Sequence, residues 1–189
     1  MSLQKGNKHI RFFVANILMT KHVYFHSILD HRIIFWGNST ESKKVFLAQK
    51  RIIRIMTGSN TRASCKPLFQ SLGILTLTSQ YILSLMKFVL QNQERYTFNT
   101  EVHNINTRNK LKLHQPINNL TLYQRAVYYM SIKIFNKLPE HRTDSIRNKR
   151  RFIARLKQYL INKSLYSLEE FMSDWYHHLK SGWTWPPSL

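Results

Sequence analysis

Thr76-Leu77-Thr78-Ser79-Gln80-Tyr81-Ile82-Leu83-Ser84-Leu85-Met86-Lys87-Phe88-Val89-Leu90-Gln91 decides the fold class of this chain. Leu77, Tyr81, Ile82, Leu85, Met86, Val89 and Leu90 recur at spacings of three and four, so they form one apolar stripe over about four helical turns. A strand would place apolar residues at every second position instead. Upstream, Gly73 ends a short predicted helix that opens at Ser64-Cys65-Lys66-Pro67, a capping hydroxyl before a proline that the first helical turn tolerates. Before that, Ser39 or Thr40 caps a predicted helix to about Met56, with Val45, Ala48, Ile52, Ile53 and Met56 as its apolar set and Gly58 as a left-handed stop. Residues 10–36 contain neither Gly nor Pro and read as one or two helices stopped by Gly37 and Asn38.

Downstream the character changes. Residues 92–119 are rich in Asn, Thr, Lys and His, contain Pro116 and carry few large apolar side chains, so they read as an extended linker compatible with short strands. Asn119 or Thr121 then opens a helix through Val127, Met130, Ile134 and Leu138 to Pro139. A basic helix follows over roughly 145–162, built on Phe152, Leu156, Tyr159 and Leu160. Ser167-Leu168-Glu169-Glu170 is a capping box, with Tyr166 and Phe171 as its predicted hydrophobic staple. The expected fold is all-α, with two small helical clusters: 1–91, then the linker 92–119, then 120–180, and a Trp-rich tail at 181–189.

Charge sets the chemistry. The chain has 189 residues and 43% hydrophobic content, enough for a packed core. Lys and Arg number 29 against 9 Asp and Glu, a formal charge of +20, and an excess of that size is relieved by a polyanion whose counterions are released on binding. Cys65 is the single cysteine, so neither an intrachain disulfide nor a cysteine zinc cluster forms, and an intracellular setting, nuclear or cytoplasmic, is expected. The apolar run at 12–19 follows Lys5, Lys8 and Arg11 as a signal peptide would, but no small-residue cleavage site follows, and an amphipathic first helix explains it. No stretch approaches the ~20 apolar residues of a membrane span, and no membrane partner is expected.

Catalytic patterns are not found. Asp30, Asp144 and Asp174 are the only aspartates and none belongs to a paired acidic motif of the kind two-metal chemistry needs. The glycines are scattered singly, so there is no phosphate-cradling loop. His22 and His26 share a helix face and His177-His178 lie near Asp174, yet neither pair has a third ligand, and both read as ordinary polar histidines; no metal or cofactor is expected. Cys65, with no base beside it in sequence, reads as a small buried hydrophobe. What the chain does carry is cations: Lys43, Lys44, Lys50, Arg51, Arg54 and Lys66 in one acid-poor cluster, and Arg147, Lys149, Arg150, Arg151 and Arg155 in another. Such surfaces attract phosphates. Tyr123, Tyr128 and Tyr129 around Arg125 have the composition of a base-stacking surface, though their helical spacing favours a core role.

Several strings are more specific. Ile33-Ile34-Phe35-Trp36-Gly37-Asn38-Ser39 and Gln49-Lys50-Arg51-Ile52-Ile53-Arg54-Ile55-Met56 resemble the region after the polymerase core in non-LTR retrotransposon reverse transcriptases of the jockey-like kind. Ser64-Cys65-Lys66-Pro67-Leu68-Phe69, Leu72-Gly73-Ile74-Leu75-Thr76-Leu77, His103-Asn104-Ile105-Asn106-Thr107-Arg108 and Lys133-Ile134-Phe135-Asn136-Lys137-Leu138-Pro139 follow in the same order. The resemblance covers roughly residues 22–171; His31-Arg32 depart from it, and it fades beyond 172.

The resemblance implies a thumb-like, post-polymerase piece of an RNA-directed DNA polymerase family that lacks the paired catalytic aspartates and holds template RNA or target DNA through its phosphates, with the polymerase core as a further partner. Lys50, Arg51, Arg54, Lys66 and Arg108 match its basic strings. Three other expectations compete with this one. A decayed transposon-derived reading frame predicts poor solubility, a helical protein-interaction module predicts salt-insensitive, apolar association, and, last, a membrane-surface role carried by the first 30 residues predicts vesicle binding without nucleic-acid binding.

Overall fold

The structure, a computed structural model, describes residues 27, 32–102, 110, 112–117, 119–121, 123, 126–138 and 148–173. Within them run α1 (Ser42–Thr57), α2 (Lys66–Leu72), α3 (Leu77–Gln91), a 3-10 turn Gln93–Arg95, α4 (Asn99–Val102), α5 (Val127–Lys137) and α6 (Lys149–Lys163). Residues 32–36 and 168–173 are also helical. The β-pairing among the described residues is one isolated antiparallel bridge between Phe98 and Leu113. The fold is all-α.

α3 is the central helix. It touches α1, α5 and α6, while α2 contacts α1 and α6. With neighbours on several sides, α3 buries more than its apolar stripe: Ser79, Gln80, Leu83 and Ser84 are inside as well. The polar groups at its N-terminus are satisfied by the chain leaving α6. Thr76 Oγ1 accepts the Ser79 N–H as the helix cap and donates to Leu165 O at 2.5 Å, Thr78 Oγ1 donates to Tyr166 O at 3.1 Å, and Ser79 Oγ donates to Leu160 O at 3.5 Å. The helical groups on either side of residues 92–119 therefore meet, and one core holds Ile33 with Leu85 and Met86 of α3, Ile132 and Phe135 of α5, and Leu156 and Leu160 of α6. A smaller cluster, Ile53, Cys65, Phe69 and Ile74, joins α1 to α2.

Helix ends follow the expected stops more closely than the expected starts. Gly58 and Gly73 take left-handed φ of 62° and 63°, as a glycine C-cap requires. At the other ends, α1 is capped at Glu41 rather than Ser39 or Thr40, and α2 at Cys65 rather than Ser64, neither with a side-chain cap bond. Thr121 and Tyr123 are helical, as the expected start at Thr121 requires, but α5 itself runs from Val127, and α6 starts at Lys149, with Asn148 Oδ1 accepting the Arg151 N–H at 3.1 Å. Ala48, placed in the core by the spacing, is exposed, and the neighbouring Gln49 is buried instead. Gln49 Nε2 donates to Leu75 O and its Oε1 accepts the Leu77 N–H, both at 2.9 Å, so its amide completes the turn into α3.

The capping box forms with a variation. Ser167 Oγ accepts the Glu170 N–H at 3.1 Å, but the Glu170 carboxylate takes the Tyr166 N–H at 2.7 Å rather than that of Ser167. The staple is corrected: Tyr166 sits edge-on to Phe46, ring centroids 5.0 Å apart, and packs on the smaller cluster, whereas Phe171 lies in the main core.

Candidate nucleic-acid interface

Burial of Phe152, Leu156, Tyr159 and Leu160 fixes the rotation of α6. Arg150, Arg151 and Lys157 are thereby exposed, Lys149 is exposed at the helix start, and Arg155 lies half-buried at the edge. No carboxylate lies on α6, and its first three residues are Lys149, Arg150 and Arg151. Cations in a first turn oppose the positive end of the helix dipole, at about 0.3–1 kcal/mol each when exposed. An anion docked there reverses that sign.

α1 divides its cations between solvent and fold. Lys43, Lys44 and Arg51 are exposed. Lys44 pairs with Glu41 at 2.7 Å, an exposed contact of small energetic weight. Lys50, Arg54 and Lys66 are half-buried. Lys50 Nζ stands 4.5 Å from the Phe46 ring centroid and 4.8 Å from that of Tyr166. Lys66 forms an ion pair with Glu170 and lies 5.2 Å from the same tyrosine ring. Arg54 Nε donates to Ala63 O at 3.0 Å, tying the loop after α1 to the helix. These three fasten the residues after α6 and the loop before α2, so their charge is engaged within the fold. The two expected clusters lie apart along α6: Tyr166, beside Lys50 and Lys66, follows the C-terminal end of the 15-residue helix and Lys149 opens it, an axial separation of roughly 22 Å. Arg108 and Arg147 lie outside the described residues.

A third basic place is absent from the sequence-based set. Tyr129, Lys133 and Lys137 of α5 form one wall of a groove of about 700 Å³, faced by Leu168, Glu169 and Met172, with Asn38 and Thr121 also lining it. Hydrogen bonds from its own backbone N–H and then from the Ser167 hydroxyl hold the Glu169 carboxyl below the usual glutamate range; slight burial opposes them, and the charges of Lys43 and Lys133 add to them. Lys43, an expected phosphate ligand, reaches Glu169 only through its charge, whereas Lys133, which was not among the expected ones, lines the groove itself. The available signal was the i, i+4, i+8 spacing of Tyr129, Lys133 and Lys137. A search for dense charge passes over it, because α5 has only two cations.

Among the described residues no three His, Cys, Asp or Glu side chains converge. Cys65 is buried and reduced, its Sγ 3.8 Å from Lys50 O. His22, His26, His177 and His178 lie outside the described residues, as does Arg125; Tyr128 is exposed and stacks on Tyr96, centroids 5.1 Å apart. No described helix is long and apolar enough by itself to cross a membrane. No family model, characterised protein or solved structure matches the chain.

Proposed function

We propose that this chain is a non-catalytic C-terminal piece of a retrotransposon reverse transcriptase, a basic helical segment that holds RNA or DNA while a polymerase core carried elsewhere copies it. The ordered strings from Ile33 to Pro139 support the family, and the formal charge of +20 supports a polyanionic partner. The observation that carries the reading is α6, whose exposed cations have no carboxylate on the helix and crowd its positive end. Phosphate is the ligand that relieves both repulsions.

A salt titration of oligonucleotide binding, followed by fluorescence anisotropy, tests this. Log affinity is expected to fall linearly with log salt, at 0.7 to 0.9 per phosphate engaged. The variant Arg150→Glu/Arg151→Glu/Lys157→Glu, changed only at exposed positions, is expected to lower that slope by about 2 to 3 with an unchanged helical circular dichroism spectrum. Binding that is flat in salt, or absent, removes the proposal.

One observation favours a protein-interaction reading: Phe35, Leu47 and Ile55 are 75%, 54% and 64% exposed. That reading expects self-association or partner capture that persists in high salt and is lost in Leu47→Ser/Ile55→Ser.

A further inference from the structure

We infer that the groove between α5 and the helical residues 168–173 takes an unpaired stretch of nucleic acid, with a base stacked on Tyr129 and the flanking phosphates at Lys133 and Lys137; this rests on the nucleic-acid reading above and adds the strandedness of the ligand. Three features of the groove argue for it. Its volume of about 700 Å³ matches the recess that accepts a small planar ligand, and a base must leave its stack to lay a face on a ring there. Tyr129, Lys133 and Lys137 stand on one stripe of α5, each step about 6 Å along the axis, so a stacking ring and two cations succeed one another in a line that a strand can follow. The opposite wall offers Leu168 and Met172, apolar and polarisable surface suited to a base face.

Charge selects the class of ligand. Lys43 and Lys133 both act on Glu169, so two cations meet one carboxylate. The surplus favours an anion. Each of these cations is a lysine, a compact point charge that suits phosphate without a fixed fork, whereas acidic peptides are held best by bidentate arginine. Stacking on an aromatic ring is tolerant of sequence, because every base has a π-face. The surface of α6 sees phosphates of either form, and only the groove distinguishes a free base from a paired one.

The test compares the full chain binding a short oligo-uridine strand with its binding of a blunt duplex of equal length. Tyr129→Leu is expected to weaken single-strand binding about tenfold and leave duplex binding unchanged, while Tyr129→Phe, which keeps the ring, restores the wild-type value. Lys133→Ala/Lys137→Ala is expected to lower the salt slope for the single strand by about 1.4. A strand carrying 5-iodouridine is expected to photocrosslink to the peptide that contains Tyr129. Should Tyr129→Leu lose its helical spectrum, the exposed Lys133→Glu decides, with a selective single-strand loss expected. If these variants bind both ligands as the wild type does, or weaken both equally, the groove assignment is overturned and the wider reading stands on its salt-dependent affinity. If the wild-type chain binds neither ligand, both fall together.

Discussion

Tyr81 shows how closely single residues are fitted to α3. A Cβ at Gly37 would lie 2.4 Å from Tyr81 Cδ2, so the tyrosine ring occupies the space that any other residue at 37 would need. The Tyr81 hydroxyl is buried and finds no hydrogen-bond partner among the described residues, and burial pushes its pKa far above the ordinary tyrosine value. Tyr81→Phe is expected to leave stability unchanged or raise it by about 1 kcal/mol in urea denaturation, because it removes an unmet donor without opening a cavity. A loss of the same size would reveal a partner. Because the folded pKa is raised, the neutral phenol's contribution is complete below the unfolded value of about 10 and is lost as pH climbs through the folded one, so Tyr81→Phe is also expected to flatten the alkaline decline. Glu169 has the opposite sign. Its depressed carboxyl pKa contributes stability above the ordinary glutamate value, and that contribution fades as pH falls through the folded value. Glu169→Gln is expected to be slightly less stable than wild type at neutral pH, with the two converging as pH falls below the ordinary glutamate range in denaturation series.

At the scale of elements, the contact that matters most to residues 92–119 is made by one amide. Asn136 Oδ1 accepts the Leu113 N–H at 2.8 Å and Asn136 Nδ2 donates to Leu113 O at 2.9 Å, so α5 pairs with the extended chain as a neighbouring strand would. The Asn99 N–H to Lys112 O and His114 N–H to Thr97 O bonds continue that pairing on the other side. Leu113 and Tyr96 are buried there, and Tyr96 Oη shares a 2.8 Å hydrogen bond with Ser131 Oγ. The linker reading of this stretch misses them because the alternating pairs Tyr96 with Phe98 and Leu111 with Leu113 are too short to establish a strand period. Asn136→Ala is expected to cost about 2 kcal/mol, two hydrogen bonds at roughly 1 each, and to raise amide exchange at Leu113 while the amides of α3 keep their protection. Equal loss of protection across α3 would show that the segment is part of the global unfolding unit.

For the whole molecule, periodicity and punctuation located the longer helices, though not the short one at Asn99–Val102. The stripe in α3, the glycine stops at 58 and 73, and the four core positions of α6 all stand where spacing places them. Helix starts were less legible, because a serine or threonine near a start is a candidate cap whether or not its oxygen reaches an N–H. The candidate interface divided in the same way. Cations on open helix faces, Lys43, Lys44, Arg51, Lys149, Arg150 and Arg151, are exposed as expected, whereas Lys50, Arg54 and Lys66 are claimed by Phe46, Tyr166, Ala63 and Glu170, partners as much as 116 residues away in the chain (Lys50 to Tyr166, 166 minus 50). By itself the amino-acid order determined an all-helical chain with a strong cationic surplus, because helix period and net charge are local or additive properties. Only the tertiary structure decided that α3 serves helices from both ends of the chain, which lysines remain outside, and that Tyr129, Lys133 and Lys137 face Glu169 across a groove. Those outcomes depend on which faces meet, and that is set by the joint packing of all the helices rather than by the sequence of any one of them.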